Sequence, residues 1–241
     1  MVKTFYLKNG LKVAMEYMPQ YCSVSLGVWV KAGSVNEDRQ TNGMAHVIEH
    51  MLFKGTEKRT ARALADAMTE IGGNMDAYTT KEYTCFYTKT LYEHLFYAID
   101  ILGDMLCHSK IDEGDLKKEL GVIAEEIDMY DDSPEDIVHE RLQEAIWKEH
   151  SLGYLISGEK QTVLAFQRQD VLDFMEKYYT ADRMTIAISG YFEEAKVLDA
   201  LNAAFGEIAS GKGISLLEAN AYIPKATYSP ALYMTDRKSV V

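Results

Sequence analysis

The sequence predicts an α+β domain in which helices pack against a largely antiparallel sheet. Two observations indicate this fold class. Short strand-like segments recur along the 241 residues and include a hairpin. Helical segments are mixed among them without the strict strand–helix alternation of a parallel sheet. Apolar residues make up 47% of the chain, which is enough for a sizeable core. We therefore expect one globular domain over residues 1–241.

The N-terminal part of the sequence predicts a β-hairpin and a third strand, followed by two helices. Alternating residues flank Asn9 and Gly10, a dipeptide typical of β-hairpin turns. The segment "SVSLGVWVKAG" follows as a strand, and "SVNEDRQTNG" as a loop. Helical periodicity then covers about 43–54 and 60–71, before a pair of glycines interrupts it.

The rest of the chain continues the mixed pattern. "NMDAYTT" and "YTCFYTKTL" are rich in threonine and aromatic residues, which favours strands. Helical periodicity follows over about 91–148, with a break where Ser133 suits an N-cap and Pro134 the first helical position. We then expect a helix in "RQDVLDFMEKYY", a buried strand in "RMTIAISG", a helix in "EEAKVLDALNAAFGEI" and a strand-like end in "ATYSPALYMTDRKSVV".

Composition restricts the class of partner and the compartment. The formal net charge of −12 argues against nucleic acid, which needs a basic surface. It favours a basic peptide as ligand, although the simplest interpretation is that the charge maintains solubility. No run of eighteen apolar residues predicts a membrane span, and the start shows no signal-peptide pattern. Cys22, Cys85 and Cys107 show no CxxC spacing, so we expect a reducing, cytoplasmic location.

The segment "HVIEH" carries the first chemical signal. At 100° per residue, His46, Glu49 and His50 fall together on one side of the predicted helix. The opposite side is apolar and consists of Met44, Val47, Ile48, Met51 and Leu52. Histidines four residues apart are neighbours on a helix surface, so the two imidazoles can converge on one metal ion.

A catalytic zinc ion takes three protein ligands and keeps one position for water, so a third ligand must come from another element. The acidic helix in "DLKKELGVIAEEIDMY" is the richest source. Its predicted buried stripe comprises Leu116, Leu120, Ile123, Ile127 and Tyr130. Glu119 and Glu126 flank that stripe on one side, whereas Glu125 points to solvent. The pattern selects Glu126 over Glu125 as the inward residue and places Glu119 on the same line.

The spacing H-x-x-E-H is the inverzincin signature of zinc proteases. A short motif of this kind also arises by chance, in which case the polar helix face is simply solvated. A second alternative keeps the metal: two histidines and a carboxylate form the facial triad of non-haem iron oxygenases. Glu49 would have no role in that chemistry, so we favour zinc.

The residues around the motif resemble the pitrilysin, insulysin and mitochondrial processing peptidase family. The similarity runs through "GMAHVIEHMLFKGTEKRTARALADAMTEIGGNMDAYTTKEYTCFYT", "KELGVIAEEIDMYDDSPED", "HSLGYLISGEKQTV" and "YYTADRMTIAISGYF", and is greatest to short bacterial members. The resemblance implies zinc ligation by His46, His50 and Glu126 and general-base catalysis by Glu49.

The resemblance also implies supporting and substrate-binding residues. It assigns Glu119 to the support of the metal site. The family's substrate-binding strand, with an Asn-Ala pair, falls on Asp76 and Ala77. Because Asp76 replaces the usual asparagine, a backbone role transfers to this position more readily than a side-chain role.

The function implied is that of a zinc metalloendopeptidase, which hydrolyses extended peptides or unfolded protein segments with a metal-activated water and a glutamate base. Family members carry two similar halves that close around the substrate, and this sequence matches the first. We therefore expect a second homologous half or a partner subunit. The alternative is a half or subunit that binds peptide but is inactive without a second domain.

Overall fold

The computed structural model describes residues 1–70, 72–148 and 150–212, and all structural statements below concern these ranges. The predicted strand-like end at 226–241 lies outside them. The described chain folds as a mixed sheet packed with helices, which confirms the predicted α+β class. In these ranges no helix combines the length and the apolar character needed to cross a bilayer.

Six strands of the described chain form one sheet. They are β1 (Lys3–Tyr6), β2 (Lys12–Tyr17), β3 (Ser23–Val30), β4 (Asn74–Thr79), β5 (Thr84–Leu91) and β6 (Met184–Gly190). Their spatial order is β1-β2-β6-β3-β5-β4. Only the β2–β6 pair is parallel, so the sheet is largely antiparallel, as predicted. Among the described strands, β4 pairs with β5 alone and forms an edge.

The predicted N-terminal hairpin is present. Gly10 adopts a φ of 89°, a left-handed conformation that glycine reaches without steric cost. The Leu7 N–H donates to the Leu11 carbonyl across the turn at 2.9 Å. The side-chain amide of Asn9 donates to the Phe205 and Ile208 carbonyls at 2.9 and 3.0 Å, which ties the hairpin to the end of the last described helix.

Eight α-helices are described. They are α1 (Met44–Leu52), α2 (Ala61–Glu70), α3 (Leu95–His108), α4 (Glu113–Asp132), α5 (Pro134–Ile146), α6 (Lys160–Val163), α7 (Arg168–Tyr178) and α8 (Glu194–Phe205). The predicted break at Ser133 is confirmed, with Pro134 as the first residue of α5.

A second break, over residues 109–112, was not predicted. There Ile111 has a φ of 44°, which a β-branched residue rarely adopts, so the chain cannot continue as a helix. Asp112 then caps α4, because its carboxylate accepts from the Gly114 and Asp115 N–H groups at 2.9 and 3.0 Å. The segment "SKID" contains neither glycine nor proline, which explains why the helical pattern appeared continuous.

The helices cover one face of the sheet. Alternate side chains of the central strands, such as Val13, Leu26 and Ile186, are buried in the core beneath them. The intervening residues Ala14 and Gly27 point to the other face. That face carries an apolar cavity of ≈ 550 Å³, and Tyr78 lines both this cavity and the cleft described next.

Candidate metal centre

Helix α1 separates apolar from polar side chains as the helical pattern predicts. Its six buried residues are Met44, Ala45, Val47, Ile48, Met51 and Leu52. His46, Glu49 and His50 are only partly exposed and lie on the other side, where His46 and Glu49 line a cleft. Three groups that resist burial are therefore held along one face of a helix whose other face is anchored in the core.

Helix α4 supplies the acidic partner residues. Its stripe of Leu116, Leu120, Ile123 and Ile127 is buried, and Glu125 is exposed, as predicted. Glu119 is only 8% exposed and Glu126 is 25% exposed. The prediction that Tyr130 belongs to the buried stripe is wrong, because this side chain is 41% exposed. Tyr130 lies one turn beyond Glu126 and lines the cleft, where no core element covers it.

Three side chains from the two helices converge. The Nε2 atoms of His46 and His50 lie 3.3 Å apart. The carboxylate oxygens of Glu126 lie 3.5 Å from His50 Nε2 and 3.9 Å from His46 Nε2. Tetrahedral zinc with ligand distances of 2.0–2.1 Å separates its ligand atoms by about 3.3 Å. The donor set and its spacing therefore fit a tetrahedral zinc ion with room for one further ligand.

The protonation of His46 suits metal binding. Burial, followed by the nearby charge of His50, lowers the pKa of His46 to about 4. The imidazole is therefore neutral near pH 7, and neutral imidazole is the form that binds metals.

A second layer of contacts orients His50. Its Nδ1 atom lies 2.9 Å from Glu119 Oε1. The other Glu119 oxygen accepts from the Lys54 ammonium at 2.6 Å. In metal sites a ligating histidine commonly donates its second N–H to a carboxylate, which fixes the ring and its tautomer. Glu119 is placed to do this for His50, whereas the Nδ1 atom of His46 is buried without a partner among the described residues.

Glu49 lies beside the converging side chains, and Thr79 orients it. The Thr79 hydroxyl donates a hydrogen bond to Glu49 Oε2. Burial raises the pKa of Glu49, and the Thr79 hydrogen bond and the charge of His50 oppose that shift. A carboxylate with a raised pKa is suited to accept a proton near neutral pH and release it again.

The cleft around these residues has a volume of ≈ 310 Å³. Its walls come from α4, α5, β4 and a loop near Ser157. Four carboxylates line it, from Glu49, Glu126, Asp136 and Glu140. The cleft is therefore acidic as well as large enough for part of a peptide.

Of the predicted substrate-binding pair on β4, the structure places only Ala77 in the wall of the cleft. Asp76 is exposed and lies near enough to Glu49 to raise the pKa of that carboxyl by its charge. The Ala77 N–H donates to Asp76 Oδ1 at 2.9 Å. Both residues belong to the edge strand, where a further strand can add.

Two residues that contact the site, Lys54 and Thr79, were not predicted from the sequence. Lys54 follows His50 by four residues, so helical spacing could have placed it on the same side. Thr79 follows Ala77 by two residues and therefore shares its strand face. Nothing in the local sequence pairs Thr79 with Glu49, because that contact depends on how α1 packs on β4.

Known protein families match most of the chain. The family model described as insulinase (peptidase family M16) matches residues 12–160. A model described as the peptidase M16 inactive domain matches residues 165–239. An uncharacterized zinc protease of Bacillus subtilis is 42% identical over 228 residues, covering 94% of this chain and 56% of the relative. The mitochondrial-processing peptidase subunit beta of Blastocladiella emersonii is 35% identical, covering 86% and 44%.

Solved structures share the fold. A protease from Helicobacter pylori superposes with a TM-score of 0.83 at 23% identity, covering 89% of this chain and 52% of that one. The first half of the periplasmic protease PqqL from Escherichia coli gives 0.78 at 19% identity, covering 89% and 47%. The chain thus spans about half the length of the curated relatives that it matches.

Proposed function

The chain belongs to the insulinase family of peptidases, family M16, and from this premise we propose that it is the metal-binding half of a zinc endopeptidase. The observation that carries the proposal is the convergence of His46, His50 and Glu126 at tetrahedral spacing, with Glu49 beside them. Relatives named zinc proteases support the same metal. The substrates proposed are extended peptides or unfolded protein segments.

In this proposal each residue has a separate task. His46, His50 and Glu126 hold the zinc ion. When bound, zinc supplies a Lewis acid that polarises the scissile carbonyl and acidifies water. Glu49 accepts the proton of the attacking water and passes it to the leaving amine, while Thr79 keeps the carboxylate oriented. Glu119 orients His50, held in turn by Lys54.

The substrate would add as a strand beside β4. An edge strand offers unpaired backbone groups, and main-chain hydrogen bonds then give affinity without strict sequence preference. Asp76 would contribute through its backbone, as the resemblance implies, while its carboxylate accepts from the Ala77 N–H at 2.9 Å. The formal net charge of −12 and the Asp136 carboxylate in the cleft wall favour a peptide with basic residues, since Glu126 would bind zinc and Glu140 lies 3.5 Å from the Lys81 ammonium.

A second candidate function is a half that binds zinc and peptide but does not cleave alone. The chain spans about half the length of its curated relatives, which favours this candidate for the isolated chain. We propose that residues 1–241 contain the first of two similar halves and that a second homologous half, or a partner subunit, completes the enzyme. The three cysteines are free, which agrees with the proposed cytoplasmic location.

The test measures zinc by elemental analysis of the purified chain and cleavage of a quenched basic peptide, with and without a chelator. Stoichiometric zinc with chelator-sensitive cleavage supports the peptidase. Stoichiometric zinc without cleavage favours the second candidate. Absence of zinc after reconstitution overturns both, and selective binding of iron would point to the oxygenase alternative.

The variant Glu49→Gln sharpens this test, because the amide cannot accept the proton. We expect it to keep zinc and lose cleavage in the assembly that cleaves. The matched control is Glu125→Gln, an exposed glutamate on α4 that is not among the residues lining the cleft. Full activity of Glu49→Gln would contradict the role of the general base.

A further inference from the structure

The N-terminus of α1 is capped by a residue outside the helix. Glu37 is only 6% exposed. Its Oε1 accepts from the Ala45 N–H at 2.8 Å, and its Oε2 accepts from the Gly43 N–H at 2.8 Å and from the Asn42 side-chain amide at 2.9 Å. The first N–H groups of a helix lack partners within the helix, and the positive end of its dipole favours a carboxylate there.

The cap residue of α1 cannot perform this task itself. Gly43 occupies the N-cap position with a φ of 98°, a conformation that side-chain-bearing residues rarely adopt. A Cβ atom at Gly43 would lie 2.7 Å from the Ser157 carbonyl oxygen, so the usual capping residues do not fit. Glu37, six residues earlier, supplies the missing acceptor.

The carboxylate also links α1 to the wall of the cleft. The Asn42 amide that donates to Glu37 donates as well to the Leu155 carbonyl at 2.8 Å. Leu155 lines the cleft together with His46 and Glu49. One buried side chain therefore contacts both the first turn of the metal-binding helix and, through Asn42, the facing loop.

The bond to Ala45 bears directly on the metal-binding side chains. Ala45 immediately precedes His46, and His50 follows one turn later on the same face. A rotation or shift of the first turn would move His46 away from His50 and Glu126, whose atoms now lie within 4.8 Å of one another. Burying a carboxylate is costly unless it is fully hydrogen-bonded, and here it accepts three donors.

We propose that Glu37 is a positioning residue of the metal centre: its carboxylate fixes the first turn of α1, and with it His46 and His50, relative to the cleft wall at Leu155. The proposal rests on the proposed zinc site and is independent of whether this chain cleaves peptides.

The experiment measures the zinc dissociation constant by competition with a chromogenic chelator, for wild type and Glu37→Gln. Burial raises the pKa of Glu37 to about 7, against the opposing effect of its hydrogen bonds, so the measurement is made at pH 8, where the carboxylate is ionised. We expect about tenfold weaker zinc binding by Glu37→Gln, comparable to losing an outer partner of a metal ligand.

The matched control is Val197→Ala, a fully buried position on α8, which packs against α3. It destabilises the core by leaving a cavity and touches neither α1 nor the cleft. Thermal unfolding of both apo-proteins shows that each is destabilised, and zinc affinity should fall only in Glu37→Gln. Equal affinity of Glu37→Gln and wild type, or an equal loss in Val197→Ala, would overturn the proposal.

If Glu37→Gln does not fold, Asn42→Ala provides the test, because it removes the amide shared by Glu37 and Leu155 while leaving the carboxylate. A several-fold loss of zinc affinity is expected, and an unchanged affinity overturns the proposal. Failure of the wild type to bind zinc at all would instead overturn the proposed function.

Discussion

Two adjacent glutamates of α4 differ completely in environment, although their side chains are chemically identical. Glu126 lies 3.5 Å from His50 Nε2, and Glu125 is exposed to solvent. We expect Glu126→Gln to weaken zinc binding by more than about tenfold, because losing a direct ligand should exceed the loss from an outer partner. Glu125→Gln should bind zinc as wild type does. Chelator competition measures both constants, and similar values for the two variants would refute the assignment of Glu126.

Thr79 allows the orientation of Glu49 to be tested apart from its charge. Thr79→Val keeps the β-branched shape that suits a strand and removes the hydroxyl that donates to Glu49. In the assembly that cleaves, we expect kcat to fall roughly tenfold, a part of the 10²–10⁴-fold that general-base catalysis contributes. Zinc affinity should be unchanged.

The control for Thr79→Val is Thr79→Ser, which retains the hydroxyl and should retain most of the activity. The steady-state kinetics of both variants are compared with their zinc content. A loss of zinc in Thr79→Val, or equal activity of the two variants, would show that the hydroxyl does not act through Glu49.

Among the elements, the N-terminal ends of α4 and α5 show how far helix N-caps can be predicted from sequence. Ser133 and Pro134 were identified correctly as the start of α5, yet the Ser133 side chain makes no capping hydrogen bond. Asp112 makes two at the start of α4, in a break that the sequence did not reveal. Residue preference thus locates a cap, whereas the bond itself depends on how the chain enters the helix.

Because Asp112 makes capping hydrogen bonds and Ser133 makes none, removing the two side chains should lower the free energy of unfolding by different amounts. Asp112→Ala should lower the free energy of unfolding by about 1 kcal/mol, the usual value of an N-cap side chain. Ser133→Ala should change it by less than about 0.5 kcal/mol, as expected for a surface substitution that removes no hydrogen bond. Urea denaturation of the two variants provides the comparison. A larger effect at Ser133 would contradict the described caps.

Helical periodicity predicted which faces of α1 and α4 carry the converging polar side chains, but not which residues of other elements lie opposite them. The facing of His46, His50 and Glu126 could be predicted, because 100° per residue is a local property. The same rule failed at Tyr130, since the stripe continues along α4 past the point where other elements cover it. The contacts of Thr79 and Glu37 with α1 were not predicted either, because each depends on tertiary packing and not on helical periodicity.

At the scale of the whole molecule, charge and cleft point to the same class of ligand. The chain carries a formal net charge of −12, and four of its carboxylates line the cleft beside the metal-binding side chains. The overall charge alone does not distinguish solubility from recognition. Glu126 faces the proposed metal ion and Glu140 lies 3.5 Å from the Lys81 ammonium, so Glu49 and Asp136 are the cleft carboxylates on which the proposed attraction of a cationic ligand rests.

The consequence is a difference in salt dependence between peptides. With Glu49→Gln used to prevent cleavage, fluorescence anisotropy measures the binding of an extended peptide carrying arginines and of a neutral peptide of equal length. We expect the Kd of the basic peptide to rise several-fold between about 0.05 and 0.5 M salt, as the Debye length shortens from roughly 14 to 4 Å. The Kd of the neutral peptide should change little, because in the proposed binding mode its affinity comes from backbone pairing along the edge strand β4. Equal salt dependence of the two peptides would show that the carboxylates serve the metal centre and the solubility of the protein, and that they do not select the substrate.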